Sequence, residues 1–138
     1  MYSLYKKYLE SVKKWIWKTV DYDKAYANQC VDFIRQYAKD IGKPITTYGN
    51  ATDFIKKWLW PNWERVKEWQ VADIGIQQAS KSLPYGHIFV VESISDKVYV
   101  IEQNRDGKAF KNNDPKNLWS PVSRGSYPKK WIVFFRAK

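Results

Sequence analysis

The stretch Gly86-His87-Ile88-Phe89-Val90-Val91-Glu92-Ser93-Ile94-Ser95-Asp96-Lys97-Val98-Tyr99-Val100-Ile101-Glu102-Gln103-Asn104 decides the fold. Two runs rich in Val, Ile, Phe and Tyr, His87 to Ser93 and Lys97 to Gln103, flank the polar pair Ser95-Asp96. This is the pattern of an antiparallel hairpin. Successive strand side chains point to opposite faces, so His87, Phe89 and Val91 share one side and Ile88, Val90 and Glu92 the other. A two-residue turn centred on Ser95-Asp96 opposes His87 to Asn104 and Phe89 to Glu102. Glu102 is then the diagonal neighbour of His87, within reach of a long side chain. A slip of one residue would send both polar groups to opposite faces.

Working outward, Val71 to Ile76 and Trp131 to Arg136 also read as strands. The segment 104–130 holds Gly107, Asn112, Asn113, Pro115 and Gly125. It reads as a long loop with one short strand near Leu118 to Val122. Upstream the apolar period is helical. Leu4, Tyr8, Leu9, Val12, Trp15, Ile16 and Thr19 recur at threes and fours over residues 3–19. A second helix is expected from Cys30 to Ile41, with Cys30, Ile34, Tyr37, Ala38 and Ile41 on one face and Gly42 and Pro44 as its stop. A third begins near Asn50, an N-cap residue, and runs from Ala51 to Leu59 until Pro61 ends it. Helices first and strands after predict an α+β fold with an antiparallel sheet.

The chain has 138 residues, with no internal repeat, low-complexity segment or linker, and reads as one domain over 1–138. Its hydrophobic fraction of 44% and eight tryptophans exclude a disordered composition. One cysteine excludes an intrachain disulfide, and no apolar run is long enough to span a bilayer. Met1-Tyr2-Ser3-Leu4-Tyr5-Lys6-Lys7 leads into a charged amphipathic helix, and no cleavable signal peptide is expected. The net charge of +10 favours polyanions: nucleic acid, anionic lipid or anionic wall polymers. Lys and Arg are spread from Lys6 to Lys138 rather than gathered on one element, which weakens specific nucleic-acid reading.

Cys30 is the only cysteine and His87 the only histidine, so a thiol nucleophile and its base have one assignment each. Cys30 stands at the expected start of a helix, where orphan N–H groups and the dipole favour a thiolate, lower its pKa and can bind an oxyanion. A buried cysteine used as a small hydrophobe is the plain alternative. In the catalytic reading Cys30 attacks a carbonyl carbon. His87 takes the thiol proton and returns it to the leaving amine. Glu102 orients and charge-stabilises the imidazole. Asn104 assists that orientation or binds substrate, and Gln29 is a candidate for the oxyanion site. Trp58, Trp60, Trp63 and Trp69 are read as core and interdomain surface, while Trp119 and Tyr127 are groove candidates for substrate.

Four segments resemble one family, the CHAP domain, a cysteine, histidine-dependent amidohydrolase/peptidase. They are Asp21-x-Asp23-x-x-x-x-x-Gln29-Cys30-x-Asp32, Tyr48-Gly49-Asn50-Ala51, Gly86-His87-Ile88-x-x-Val91-Glu92 and Ile101-Glu102-Gln103-Asn104. The resemblance covers residues 18 to 136. It implies a papain-like α+β fold, with the nucleophile at a helix N-terminus packed on an antiparallel sheet. It also implies a Cys-His-Glu-Asn set on Cys30, His87, Glu102 and Asn104. The implied activity is peptidoglycan hydrolysis by an amidase or endopeptidase of phage endolysin type. The implied partners are a Gram-positive wall and its anionic polymers, with the protein acting as a monomer. The implied place of action is the wall, reached from the host cytoplasm by an endolysin or carried on a virion. The alternative is a non-catalytic basic module that binds wall polymer or nucleic acid. The acidic loop alternates potential oxygen donors in a way similar to the start of an EF-hand. By resemblance, Ca²⁺ would take side chains of Asp21, Asp23 and Asp32 and backbone oxygens of Ala25 and Ala27. The loop lacks an EF-hand's central glycine and distal glutamate.

Overall fold

The computed structural model describes residues 2–18, 30–45, 51, 53–56, 61–81, 86–103 and 122–138. Within them lie α1 (Tyr2–Lys13), α2 (Cys30–Asp40), α3 (Asp53–Lys56), β1 (Trp63–Val66), β2 (Ile74–Gln77), β3 (His87–Ile94), β4 (Val98–Glu102), β5 (Ser123–Tyr127) and β6 (Ile132–Ala137). The strands form one sheet in the order β1-β6-β2-β3-β4-β5, and every neighbouring pair is antiparallel. The expected α+β class is therefore observed.

Helix α2 starts at Cys30 and ends on Gly42, whose φ of 73° is the left-handed conformation that glycine adopts without strain. The Lys43 N–H bonds the Ala38 carbonyl at 2.9 Å, and the Gly42 N–H bonds that of Lys39 at 3.0 Å. Together they close a Schellman cap that satisfies two orphan carbonyls. The expected apolar face of α2 is wider than the spacing implied, since Val31 and Phe33 are buried beside Ile34, Tyr37 and Ala38. These residues pack with Leu9 and Val12 of α1 against Ile74, Ile76, Ile88, Val90, Ile101, Val133 and Phe135. Each fully buried Ile or Phe contributes roughly 1.5–3 kcal/mol. The Tyr37 hydroxyl donates to the Ala72 carbonyl at 2.8 Å, tying α2 to the entry of β2.

The opposite sheet face carries a second cluster, Phe89, Val91, Val98, Val100 and Phe134. His87 has the same strand parity as Phe89 and lies with its ring 5.8 Å from it. β3 thus buries side chains on both faces, which explains its nearly continuous apolar run.

Four expectations shift. α1 stops at Lys13 rather than Thr19; residues beyond it turn, and Ile16 bridges Val122 in parallel. Of the strand expected near Leu118 to Val122, residues 118–121 lie outside the described residues and Val122 is an isolated bridge partner of Ile16; β5 follows at Ser123–Tyr127, so Tyr127 belongs to a strand and not to a loop. β1 was hidden inside the tryptophan cluster; its Trp63 is buried and bonds the Lys43 carbonyl at 2.8 Å, whereas Trp69 is exposed. The hairpin turn is longer than two residues: Ile94 pairs with Val98 across Ser95, Asp96 and Lys97. An irregularity at Glu92 absorbs the extra loop residue. Beyond it Val91 pairs with Val100 and Val90 with Ile101, the register that the shorter turn predicted.

Candidate active site

His87 opens β3 directly after Gly86, whose φ of 72° turns the chain into the strand. Only 1% of His87 is exposed, so its polar nitrogens must be satisfied internally. Glu102 closes β4 with 6% exposure. The restored register puts both on the sheet face away from α1 and α2, and His87 Nε2 lies 2.8 Å from Glu102 Oε1. With a proton on Nε2 donated to the carboxylate, Nδ1 is left with the lone pair that can accept a proton. The contact expected from strand geometry is thus present.

Tyr127 donates its hydroxyl to the same Oε1. Its ring stacks on Phe89 at 5.5 Å and meets His87 edge-on at 6.1 Å. Gly125, which pairs with Val100, leaves the space that the Glu102 carboxylate fills. A Cβ there would stand 2.0 Å from Glu102 Oε2. Neither residue was placed beside the carboxylate by the sequence reading. The retrievable signal was the alternation Ser123, Gly125, Tyr127, masked by the Gly, Ser and Pro residues that read as loop. Gln103, which follows Glu102, is fully buried.

Cys30 begins α2 as a half-buried residue and is not in a disulfide. Its thiol is enclosed and lies toward the backbone N–H of Ile88, the residue after His87. Burial pushes this thiol up from 9.0 to about 11. The N–H groups of Ile88, Val31 and Cys30 itself oppose that rise, and the Asp32 carboxylate adds to it. This corrects the expectation of a lowered pKa: the helix-terminal N–H groups act as anticipated, but desolvation outweighs them.

Of the expected metal ligands, Asp32 lies in the first turn of α2 and is 1% exposed. Asp21, Asp23, Ala25, Ala27, Gln29, Asn104 and Trp119 lie outside the described residues. Among the described residues no group of three or more His, Cys, Asp or Glu gathers to hold a metal. The described structure therefore brings together His87, Glu102 and Tyr127, with Cys30 reaching the backbone beside His87.

Among the described residues, basic side chains are exposed on several elements. Lys6, Lys7, Lys14, Lys18, Lys39, Lys67, Lys97, Lys129 and Lys130 are all exposed, from α1 to the β5–β6 turn. No helix among the described residues is long and apolar enough to cross a membrane.

Comparison with known proteins places this geometry. The family model of the CHAP domain matches residues 19–104. No curated protein matches the chain by sequence. Among solved structures, the wild-type endolysin LysIME-EF1 superposes with a TM-score of 0.76 at 19% identity, covering 96% of this chain and 63% of that one. An N-acetylmuramoyl-L-alanine amidase from Staphylococcus aureus superposes with a TM-score of 0.58 at 15% identity, covering 80% of this chain and 30% of that one. The Tae3-Tai3 type VI effector-immunity complex from Ralstonia pickettii gives a TM-score of 0.54 at 14% identity, with 95% and 96% covered. The chain spans less than two thirds of the endolysin it matches. At these identities the likeness establishes a shared fold.

Proposed function

We propose that this chain, which belongs to the CHAP domain family, hydrolyses amide bonds of bacterial peptidoglycan through Cys30, with His87 as its base. The observation that carries the reading is the buried 2.8 Å contact between His87 Nε2 and Glu102 Oε1, beside the strand residue whose N–H faces the Cys30 thiol. For stability alone, a buried His–Glu pair is often matched by a well-packed apolar pair of similar volume. A general base gains from the pair, because the carboxylate fixes the tautomer and stabilises the imidazolium.

The thiol's raised pKa shapes the mechanism. At neutral pH Cys30 is protonated unless a base accepts its proton as it reacts. His87 Nδ1 takes the Sγ proton, and the Nε2–H stays on Glu102. The sulfur lone pair forms a C–S bond to the scissile carbonyl carbon, and the π electrons move to oxygen. The N–H groups at the head of α2 face that oxyanion. Collapse restores C=O and breaks C–N, and the imidazolium protonates the leaving nitrogen. Water, deprotonated by His87, then cleaves the thioester and returns the thiol. Asn104 and Gln29 are assigned supporting roles in orientation and oxyanion binding, and Trp119 a place on the groove wall.

The substrate reading joins the family to the charge. Exposed lysines on several elements suit the anionic polymers of a Gram-positive wall, and their spread along the chain weighs against a single nucleic-acid-reading element. A phage or prophage lysin acting on the wall, as endolysin or virion enzyme, accommodates both, and a monomer suffices.

Calcium belongs to the same proposal. The buried Asp32 carboxylate in the first turn of α2 is a hard oxygen donor of the kind Ca²⁺ selects. Asp21, Asp23, Ala25 and Ala27 would complete its shell by sequence pattern. A bound cation would neutralise the loop and brace the head of the Cys30 helix.

The test uses purified Gram-positive walls with wild type and Cys30→Ala, and mass spectrometry of the released fragments. The reading expects fragments from wild type alone, and their masses name the bond. Equal release by both proteins overturns cysteine catalysis and favours the basic binding module.

A further inference from the structure

We propose that Tyr127 and Gly125 are positioning residues that clamp the Glu102 carboxylate, and through it set the orientation and basicity of His87. This rests on the catalytic reading of His87 and Glu102. Three observations carry it. Tyr127 and His87 converge on one oxygen, Glu102 Oε1. The Tyr127 ring is itself immobilised, stacked on Phe89 and edge-on to His87. The other oxygen, Oε2, occupies the space over Gly125 that any side chain would fill.

The chemistry follows from the geometry. A carboxylate at the end of a strand can rotate about its last bonds, and a single donor does not stop it. Two donors of different origin, one on β3 and one on β5, leave one arrangement that satisfies both. The clamp therefore holds Nε2 and, by the rigidity of the ring, aims Nδ1. Tyr127 also withdraws charge density from Oε1, because a hydrogen bond to a carboxylate stabilises its anionic form. The imidazole shares that oxygen and so feels a weaker acceptor than it would alone. Among the described residues, the groups about the ring include Glu102 from β4, Tyr127 from β5, neutral Gln77 as its pair on β2, and the Cys30 thiol beyond the Ile88 backbone.

His87 is the only histidine, so its ring protons give a single set of titrating NMR signals that needs no substrate. Tyr127→Phe keeps the stacked ring and removes the hydroxyl. The pH midpoint of His87 is then expected to rise by about one unit, the scale of one charge-assisted hydrogen bond. Wall turnover at pH 7 is expected to fall by up to about tenfold, the largest loss of neutral imidazole that a one-unit rise can cause. Gly125→Ala pushes the carboxylate away from the imidazole, and the midpoint is expected to move downward. A folded Tyr127→Phe protein whose His87 midpoint is unchanged within about 0.2 units, or falls, overturns the clamp. Circular dichroism confirms folding, and the Phe variant keeps the test open if Gly125→Ala is unstable. If wild type releases no wall fragments, the substrate reading fails while the His87 titration still decides the clamp. An unchanged midpoint in an active enzyme sinks the clamp alone.

Discussion

Replacing His87 by Gln should expose the ionisation of Cys30 without its base. Burial pushes the thiol up to about 11. At pH 7 a thiol of that pKa is about one part in 10⁴ thiolate, against about one in 10² for an ordinary thiol at 9.0. Glutamine is chosen because a smaller residue would admit water to the site and weaken the desolvation being measured. Cys30 is the only cysteine, so iodoacetamide uptake followed by intact mass reports this thiol alone. In chelating buffer, the His87→Gln rate should rise about tenfold per pH unit and bend only above pH 10. Wild type should react at least about tenfold faster at pH 7, because the imidazole accepts the proton. The same shift has a stability consequence. A group whose folded pKa lies above its unfolded value contributes stability that is intact below pH 9.0 and is lost as pH rises through about 11. The bound is about 2.7 kcal/mol, reduced because Cys30 is only half-buried. Urea melts of wild type and Cys30→Ala at pH 8 and pH 11 give it by difference. Superimposable alkylation profiles for wild type and His87→Gln would refute the pairing. A midpoint of 9 or lower in His87→Gln would refute the role assigned to burial.

Gly75→Ala should cost about 1–3 kcal/mol by overpacking, since its Cβ would meet Phe89 Cε1 at 2.4 Å. Chemical denaturation measures the loss, and Phe89→Leu in the same background should recover part of it. Asp73 and Arg136 form a pair at 3.0 Å in which the two partners differ. Burial raises the Asp73 carboxyl, while Asp73 raises Arg136, because the carboxylate is fully enclosed and the guanidinium is 21% exposed. Asp73's stabilising contribution is therefore complete below pH 3.8 and diminishes as pH rises through its higher folded value. Asp73→Asn should cost about 1–3 kcal/mol at acid pH and less at pH 7, read from urea midpoints. Calcium titrated into chelator-treated protein should release heat and raise the melting temperature, and Asp32→Asn should weaken both effects. A calorimetric blank in wild type would remove the ion from the proposal.

The contact between His87 and Glu102 is legible in the sequence. The single Cys and single His left no choice of partners, and alternation along β3 and β4 put His87 and Glu102 on one face. The reading reached the right register through a turn one residue too short. With the observed three-residue loop and a regular ladder, Glu102 would have faced away from His87. The bulge at Glu92 cancels that displacement, and no local pattern announces it. Strict alternation groups Glu92 with Ile88 and Val90, and only its bidentate contact with Arg124, Nε to Oε1 at 3.0 Å and Nη2 to Oε2 at 3.1 Å, shows where it points.

The amino-acid order by itself determined the fold class, because hydrophobic period is a local property: threes and fours up to Ile41, alternation from Val71 onward. It also determined which residues could carry nucleophile and base, because composition offered one of each. Tertiary structure alone decided the electrostatics. Cys30 sits at a helix head, which argues for a lowered pKa, and only enclosure of its thiol beside β3 reverses the sign. It alone decided, too, that Tyr127, distant in sequence from Glu102 and surrounded by loop-forming residues, shares an oxygen with His87. Desolvation and cross-strand contact depend on what the rest of the chain brings near, and that is set by the six-stranded sheet rather than by neighbours along the chain.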